Sequence, residues 1–402
     1  MNSDYNNTWR YPNTSKRDLR FDMMRGFAML MVLVAHFNFF SIFMFICWER
    51  VGVVSSADMF IILAGIFVGS NYARKLQTTD YMVCTRELVN RGVKLYLIMS
   101  TLVIIIGLIR YVPFIDSTDV TSFTDPFTRT VYPLYPQKEQ GFMFLIHQCL
   151  LLRAGPHQFQ IIGLYIVMFM LTPLLLWAII QKYTRITLLI SWGLYFYNLS
   201  TPESQPGTAE IRITGALFEF GFPIIVWQLI YVHGVILGYY WDKVYAFMTE
   251  TLAGRVIIYI CVILSILFFI FTQNNPLDEF PAWTKLSMIP PEEFKVLYQE
   301  YFLKYKLGPG RLLNSVALYV TSYLVLTRFW VPINKAFGWM FIPIGQHTLY
   351  VFYVHVFILL LLNNTPLPGY HDFWVNSGIH LGLLFLILLM IKTRFLFRWL
   401  PN

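Results

Sequence analysis

The amino-acid sequence predicts an all-α polytopic membrane protein: one helical bundle of about ten transmembrane helices with both termini in the cytoplasm. Of its 402 residues, 57% are hydrophobic and only 13% are charged, whereas soluble proteins average about 45–50% apolar and about 25% charged residues. The apolar residues form long runs, and roughly 20 such residues cross a bilayer core about 30 Å thick. The sequence lacks the alternating ten-residue segments that are typical of a membrane β-barrel.

The long apolar runs define the predicted spans. These are roughly 21–47, 54–73, 94–112, 158–180, 186–198, 222–241, 255–273, 310–328, 339–362 and 376–394. The apolar segment 142–152 is too short to cross a bilayer, so we expect it to be re-entrant or to lie flat at the interface. This division leaves a cytoplasmic tail at residues 1–20 and a single transmembrane domain at residues 21–398.

The basic residues predict the orientation of the spans. With the amino terminus inside, most of the 30 Lys and Arg residues fall in short inner segments, as the positive-inside rule requires. Three longer polar stretches then lie outside, at 113–141, 199–221 and 274–309, and they either cover an external substrate site or only connect spans. Within the third, apolar and aromatic residues at helical spacing over 294–305 predict an amphipathic helix at the membrane surface.

Composition and motifs exclude several classes of protein. The net charge of +8 lies mainly in the short loops between spans, so it does not indicate a nucleic-acid partner. Four cysteines without a Cys-x-x-Cys pair are expected to be small core residues; they are Cys47, Cys84, Cys149 and Cys261. P-loop, dinucleotide-binding and His-Glu-x-x-His motifs are missing, so no metal is expected. The polar first 16 residues lack the apolar core of a cleavable signal peptide.

The first predicted span carries ionisable residues that are costly in a membrane. Arg25 and His36 are eleven residues apart, which places them on one helix face and about 16 Å apart along the axis. Asp22 lies three residues before Arg25, within reach of an ion pair. An ionisable residue inside a membrane usually marks a functional site. The alternative is a histidine that only hydrogen-bonds to a neighbouring helix.

The two residue types suit a particular chemistry. A neutral imidazole takes a proton from a hydroxyl and so activates it as a nucleophile, and a guanidinium at the inner surface holds phosphates. Arg25 and His36 would therefore serve a phosphate-bearing cytosolic donor with chemistry at mid-membrane, and acyl transfer from coenzyme A fits. A transporter or channel for a glycan or lipid precursor, which uses the pair as a gate or proton relay, is the alternative class, and a non-catalytic scaffold is a third.

Further basic side chains are candidates on the donor side, and two more histidines are candidates without an assigned side. Arg86, Arg91 and Lys94 fall in the predicted inner loop before the third span. They would bind the phosphates of coenzyme A, unless they only set the orientation of the chain. His347 and His355 share the ninth predicted span, where we expect structural hydrogen bonds.

Other polar residues are candidates for contacts with an acceptor. Asp58 lies near the outer end of the second span, and Arg153 and His157 flank the outer end of the fourth. They would position a sugar or its anionic groups, or else face the water. Gln228 lies inside the sixth span and would either contact the acceptor or join two helices.

Five segments of the chain carry a family resemblance, in order over residues 17–360. They are RDLRFDMMRGFAMLMVLVAHF (17–37), SSADMFIILAGIFVGSNYARKL (55–76), IIGLYIVMFMLTPLLL (161–176), WQLIYVHGVILG (227–238) and IGQHTLYVFYVH (344–355). They resemble segments of the OpgC-like branch of the membrane-bound acyltransferase-3 group, which modifies osmoregulated periplasmic glucans. The Arg-x10-His pair of that group is present as Arg25 and His36. Ala35 stands where the branch usually has an aspartate.

The resemblance implies a reaction and roles for two residues. An acyl group, acetyl or succinyl, would pass from cytosolic acyl-CoA to a hydroxyl of an extracytoplasmic glycan or glycolipid at the inner membrane of a bacterium. His36 corresponds to the proposed catalytic histidine of the group and Arg25 to its donor-side arginine. If the usual aspartate orients the imidazole in that branch, another residue must orient His36 here, where Ala35 replaces the aspartate. Otherwise the acceptor differs from that of the branch.

Overall fold

The computed structural model describes residues 9–12, 17–37, 39–47, 49–124, 130–201, 211–277, 280–366 and 372–400. The helices in chain order are α1 (Leu19–Phe37), α2 (Ser56–Lys75), α3 (Tyr81–Ile109), α4 (Thr118–Thr121), α5 (Phe142–Leu150), α6 (Gln160–Ile180), α7 (Thr184–Ser200), α8 (Ile224–Tyr239), α9 (Trp241–Glu250), α10 (Leu252–Thr272), α11 (Pro291–Tyr301), α12 (Pro309–Arg328), α13 (Trp330–Ile333), α14 (Trp339–Gln346), α15 (Thr348–Asn363) and α16 (Phe373–Lys392). Two short antiparallel strands, β1 (Ser122–Thr124) and β2 (Val131–Pro133), pair in the loop between α4 and α5.

The described residues form a helical membrane protein, as the sequence predicts. Five helices are long and apolar enough to cross a bilayer, and up to seven if the bent pairs α8–α9 and α12–α14 each count as one span. Helix α1 misses this criterion because it carries three charged residues, Arg20, Asp22 and Arg25. Helices α7 and α15 miss it because they have only 17 and 16 residues. The count of ten spans and the cytoplasmic termini stay predictions.

The first span is shorter than the sequence predicts. Helix α1 ends at Phe37 rather than near residue 47, and the chain continues into a 3-10 turn at Ile42–Ile46. The hydroxyl of Ser41 accepts a hydrogen bond from the Phe43 amide at 3.3 Å and caps that turn. His36 therefore lies in the last turn of its helix, whereas the longer span would have placed it near the middle.

Two other boundaries differ from the prediction. The predicted inner loop with its basic residues is helical, because α3 begins at Tyr81, where the carboxylate of Asp80 accepts from the Met82 amide at 2.9 Å. The predicted span 339–362 is broken at His347, which separates α14 from α15. Pro343 inside α14 lacks an amide hydrogen, which weakens the helix just before the break.

Glycines bring α2 and α8 into backbone contact. Gly65 and Gly69 face Gly234 and Gly238 at the same four-residue spacing on both helices. A methyl group added at Gly65 would lie 2.7 Å from the carbonyl oxygen of Tyr231, and one at Gly69 would overlap the backbone of α8. Small residues at this spacing allow transmembrane helices to approach closely. The contact fixes α2 beside the rest of the bundle.

The same device joins α1 to α14. A methyl group added at Gly26 would overlap the backbone carbonyl of Phe341, and one at Gly345 would overlap that of Asp22. Each helix therefore presents a glycine to the backbone of the other. Because α15 follows α14 directly, this contact places α15 alongside α1.

The glycine contact between α2 and α8 predicts a loss of stability in Gly69→Val. The added side chain meets rigid backbone of α8, so the two helices must separate, at a cost of about 1–3 kcal/mol typical of overpacking. Thermal unfolding of the purified protein in detergent measures the change. Gly382→Val is the matched control, because a methyl group at Gly382 in α16 meets nothing within 4 Å. Equal melting temperatures for the two variants would contradict the prediction.

Candidate active site

Three histidines from separate segments meet at the end of α1. The Nδ1 of His36 lies 2.8 Å from the Nε2 of His355 in α15, and the two rings are stacked with centroids 5.0 Å apart. The ring of His157 meets that of His36 edge-on at 5.8 Å. His355 is buried, whereas His36 and His157 are partly exposed. The sequence identified all three residues, but it did not predict that they lie together.

Each partner of His36 has a distinct environment. The Nδ1 of His355 lies 3.2 Å from the carbonyl oxygen of Val351, one turn earlier in α15. His157 begins the 3-10 turn that precedes α6 and packs against Phe123 at 5.3 Å. The Nδ1 of His157 is buried and has no hydrogen-bond partner among the described residues. His157 was expected to flank an outer sugar site; its ring lies against the candidate base itself.

Arg25 is held near the other end of α1. Its Nη2 donates to the hydroxyl of Thr348 at 2.6 Å, and its guanidinium lies 5.0 Å from the ring centroid of Phe67. The expected ion pair with Asp22 is loose, at 3.9 Å. Asp22 instead accepts two hydrogen bonds of 2.7 Å from Arg17. Arg25 is therefore less neutralised than the sequence suggests, because the carboxylate mainly serves another arginine.

Helices α1 and α15 run side by side in the same direction. Thr348, the first residue of α15, meets Arg25, and His355, two turns later, meets His36. The two contacts lie on one face of α1, about 16 Å apart by helical rise. One neighbouring helix thus fixes both ionisable side chains of the first span.

Only part of the predicted basic cluster faces Arg25. The guanidinium of Arg91 lies 5.0 Å from the ring of Phe169 and acts electrostatically on Arg25. Arg86 and Lys94 are exposed on α3, and among the described residues no hydrogen bond or ion pair joins them to this site. Arg86 lies five residues before Arg91, and this spacing turns its side chain to a different face of α3.

His347 lies near the charged residues that surround Arg25. It occupies the break between α14 and α15, where its ring packs against Phe397 at 5.0 Å and its Nδ1 is buried without a hydrogen-bond partner in the described part of the chain. The charges of Arg17, Arg394 and Asp22 act on it. His347 therefore belongs to the basic surroundings of Arg25 and is far along α15 from the three-histidine cluster.

A buried ion cluster lies at the amino-terminal ends of α2 and α12. Arg311 is fully buried and donates to Glu49 at 2.7 Å and to Asp58 at 3.4 Å. The same carboxylate oxygen of Asp58 accepts from the amide and hydroxyl of Ser55 at 2.6 and 2.8 Å, which caps α2. The second oxygen of Asp58 is buried without a partner among the described residues. Asp58 thus has a structural role and one oxygen left for a ligand.

Lys304 links this cluster to the histidines. It lies in the loop between α11 and α12, with its ammonium 4.7 Å from the ring centroid of Phe222, and its charge acts on both His36 and His157. Burial lowers the pKa of Lys304, and the charge of Arg311 lowers it further. No local pattern marked Lys304, because it stands in an amphipathic run with other lysines and tyrosines. Arg311 did carry a signal in the sequence, because it is an arginine inside the predicted span 310–328.

Two predicted acceptor contacts are not joined to the histidines. Gln228 donates to the carbonyls of Ser191 and Ile225 at 2.9 and 3.0 Å and accepts from the Ser191 hydroxyl at 2.7 Å. These bonds connect α8 to α7, so Gln228 joins two helices, which is the second of the two roles that the sequence left open. Arg153 is exposed and lies beside Gly215. In the described ranges, neither residue has a hydrogen bond or ion pair with the site.

The architecture can be compared with known families. The sequence profile of the family described as OpgC protein matches residues 17–399, which include both ends of α1 and all three histidines. The chain belongs to the OpgC family. This membership, together with the apolar helices, indicates an acyltransferase-like enzyme that modifies glycans at a membrane. Comparisons with curated proteins and with solved structures return no match.

The site is built mainly from groups that exchange or hold protons. No set of three or more His, Cys, Asp or Glu residues within the described ranges has the geometry to hold a metal ion. The three imidazoles offer proton transfer at one end of α1, and the arginines offer anion binding at the other. The charge of Lys304 acts on His36 and His157, and the carboxylate of Asp58 acts on Lys304 in turn.

The buried ion cluster predicts that Arg311→Met destabilises this OpgC family member strongly. The change leaves Asp58, whose side chain is 1% exposed, without its buried counter-charge, and loss of one partner of a buried ion pair typically costs about 3–5 kcal/mol. Thermal unfolding in detergent measures it, with Lys295→Met as the control. Lys295 pairs with Glu292 at the surface, where ion pairs contribute little.

The double variant Arg311→Met with Asp58→Asn tests the cause of the loss. It removes the uncompensated carboxylate, so we expect it to recover part of the lost stability. A melting temperature of Arg311→Met equal to that of Lys295→Met would contradict the buried-pair argument.

Proposed function

We propose that this protein is a transmembrane O-acyltransferase. It moves an acyl group, acetyl or succinyl, from cytosolic acyl-CoA to a hydroxyl of an extracytoplasmic glycan or glycolipid, in the inner membrane of a bacterium. The observation that carries the proposal is the pair of contacts between α1 and α15. They hold Arg25 and His36 on one face at opposite ends of one helix. Membership of the OpgC family supports the same reaction class.

The donor would bind at the inner end of this face. Arg25 and Arg91 present guanidinium groups there, and guanidinium groups bind phosphate through paired, charge-assisted hydrogen bonds. Because Asp22 mainly pairs with Arg17, much of the charge of Arg25 is left for a phosphate. The pantetheine arm of coenzyme A would extend along α1 and carry its thioester toward His36. Arg86 and Lys94 would attract the anionic donor over a longer distance.

The acceptor would reach His36 from the outer side. A hydroxyl bound there gives its proton to the imidazole, and its oxygen attacks the thioester carbonyl. Negative charge then develops on the carbonyl oxygen and needs a donor. The unpaired Nδ1 of His157 and the charge of Lys304 face this region. They are the candidates for that role, and the free oxygen of Asp58 is a candidate contact for the acceptor.

His36→Ala should abolish acyl transfer while coenzyme A still binds. The imidazole acts on the acceptor hydroxyl, and loss of a general base lowers turnover by about 10²–10⁴-fold. Release of free coenzyme A from acetyl-CoA and succinyl-CoA measures turnover of the purified protein, and calorimetry with coenzyme A measures binding. If the protein does not bind coenzyme A but carries a solute or ion flux in proteoliposomes, that result would contradict the enzymatic function and favour a transporter or channel.

Arg25→Ala should weaken the binding of the acyl-CoA donor rather than slow the chemical step. Loss of a hydrogen bond to a charged group costs about 1.5–3 kcal/mol, so the KM for acyl-CoA should rise roughly 10–100-fold with a smaller change in kcat. Steady-state kinetics with acetyl-CoA measure the two constants. Arg185→Ala is the control, because Arg185 is an exposed basic residue at the start of α7. An unchanged KM in Arg25→Ala would contradict the phosphate-binding role.

A further inference from the structure

The hydrogen bonds around His355 allow one arrangement of protons when both rings are neutral. A backbone carbonyl oxygen only accepts hydrogen bonds, so the Nδ1 of His355, 3.2 Å from the carbonyl of Val351, carries the hydrogen. In a neutral ring the Nε2 of His355 is then an acceptor. It lies 2.8 Å from the Nδ1 of His36, which must therefore donate. The Nε2 of His36 is left with a free lone pair.

We propose that His355 is a positioning residue for acyl transfer, which holds His36 in the Nδ1–H tautomer with its Nε2 as the base. This inference rests on the proposed function. The ring nitrogen that carries the proton is set by the hydrogen bond of the other nitrogen. With no acceptor at Nδ1, His36 would populate both tautomers and turn about its side-chain bonds. In either case the basic nitrogen would often be absent from the reacting position.

Among the residues that the structure describes, no other neighbour of His36 supplies this acceptor. The preceding residue, Ala35, has no polar group, and the ring of His157 meets His36 edge-on at 5.8 Å without a hydrogen bond. Lys304 also acts on His36 through its charge, but an ammonium group only donates hydrogen bonds. His355 comes from α15, which the glycine contact between α1 and α14 holds in place. The acceptor at Nδ1 is thus supplied by the fold rather than by the first span.

An imidazole suits this position better than a carboxylate. His355 is fully buried within an apolar helix, where an unpaired charge would be costly. A neutral imidazole accepts the hydrogen bond without adding a buried charge. Its own orientation is fixed by the bond to Val351 one turn earlier. The ring of His355 is therefore constrained on both nitrogens, and it constrains His36 in turn.

The proton balance of the reaction follows from this tautomer. The acceptor hydroxyl gives its proton to the Nε2 of His36, while its oxygen forms the ester bond to the thioester carbon. The carbon–sulfur bond breaks and its electron pair leaves on the sulfur of coenzyme A. His36 is then an imidazolium whose Nδ1–H still points to the neutral Nε2 of His355. The Nε2 proton passes to the thiolate, which restores the starting tautomer and yields ester and free thiol.

Two substitutions at His355 test the proposal. His355→Leu removes the acceptor, so kcat for turnover of acetyl-CoA should fall about 100-fold, within the range for general bases, while KM and coenzyme A binding stay unchanged. His355→Gln places an amide oxygen where the Nε2 stood, so it should recover at least about tenfold of that loss. The ring ¹⁵N spectra of histidine-labelled protein should show His36 as the Nδ1–H tautomer in the wild type and in His355→Gln, and as a mixture in His355→Leu.

A matched control separates positioning from packing. His380→Leu removes another buried histidine, which stacks on Phe39 at 4.2 Å and does not touch the ring of His36, so kcat and the His36 spectrum should not change. Wild-type kcat in His355→Leu, or no recovery in His355→Gln, would overturn the inference, provided that His36→Ala is inactive. If His36→Ala is itself active, the proposed function fails instead. If His355→Leu misfolds and loses coenzyme A binding, His355→Gln decides whether the inference holds. The Nδ1–H tautomer of His36 together with retained activity supports it, and a mixture of tautomers with full activity overturns it.

Discussion

The site depends on the close packing of α1 against α14 and α15. Gly26 and Gly345 let the backbones of α1 and α14 touch, and α15 begins directly after the break at His347. Only then can Thr348 reach Arg25 and His355 reach His36. A methyl group at either glycine would overlap the backbone of the other helix, so α14, and α15 with it, would have to shift away from α1. The two glycines therefore set the geometry of both ends of the site.

Polar groups in this bundle fall into two kinds. Arg17 with Asp22, and Arg311 with Glu49 and Asp58, form pairs that neutralise buried charge, as an apolar environment requires. Beside His36, by contrast, the buried Nδ1 of His157 has no hydrogen-bond partner among the described residues, and the charge of Lys304 acts on both rings. A buried polar group without a partner is unfavourable.

The proposed reaction places different demands on the two ends of α1. A phosphate-bearing donor needs fixed positive charge, which Arg25 with Arg91 would supply toward the amino-terminal end of α1. The chemical step needs a neutral base with one defined lone pair, which the stacked pair of His36 and His355 would supply at the carboxyl-terminal end. The distance between them, about 16 Å by helical rise, suits a long donor that reaches from one side while the acceptor stays on the other.

The membrane class, most helix positions and the spacing of Arg25 and His36 were predictable from the sequence, because apolar runs and the helical repeat are local properties of the chain. It also identified His157 and His355 as candidates. It did not predict the end of α1 at Phe37, the break at His347 or the contact between His36 and His355, which joins residues 319 positions apart. Arg311 and Lys304 entered the site only through the packing of distant segments. Such contacts depend on how helices pack, and a local pattern holds no information on that.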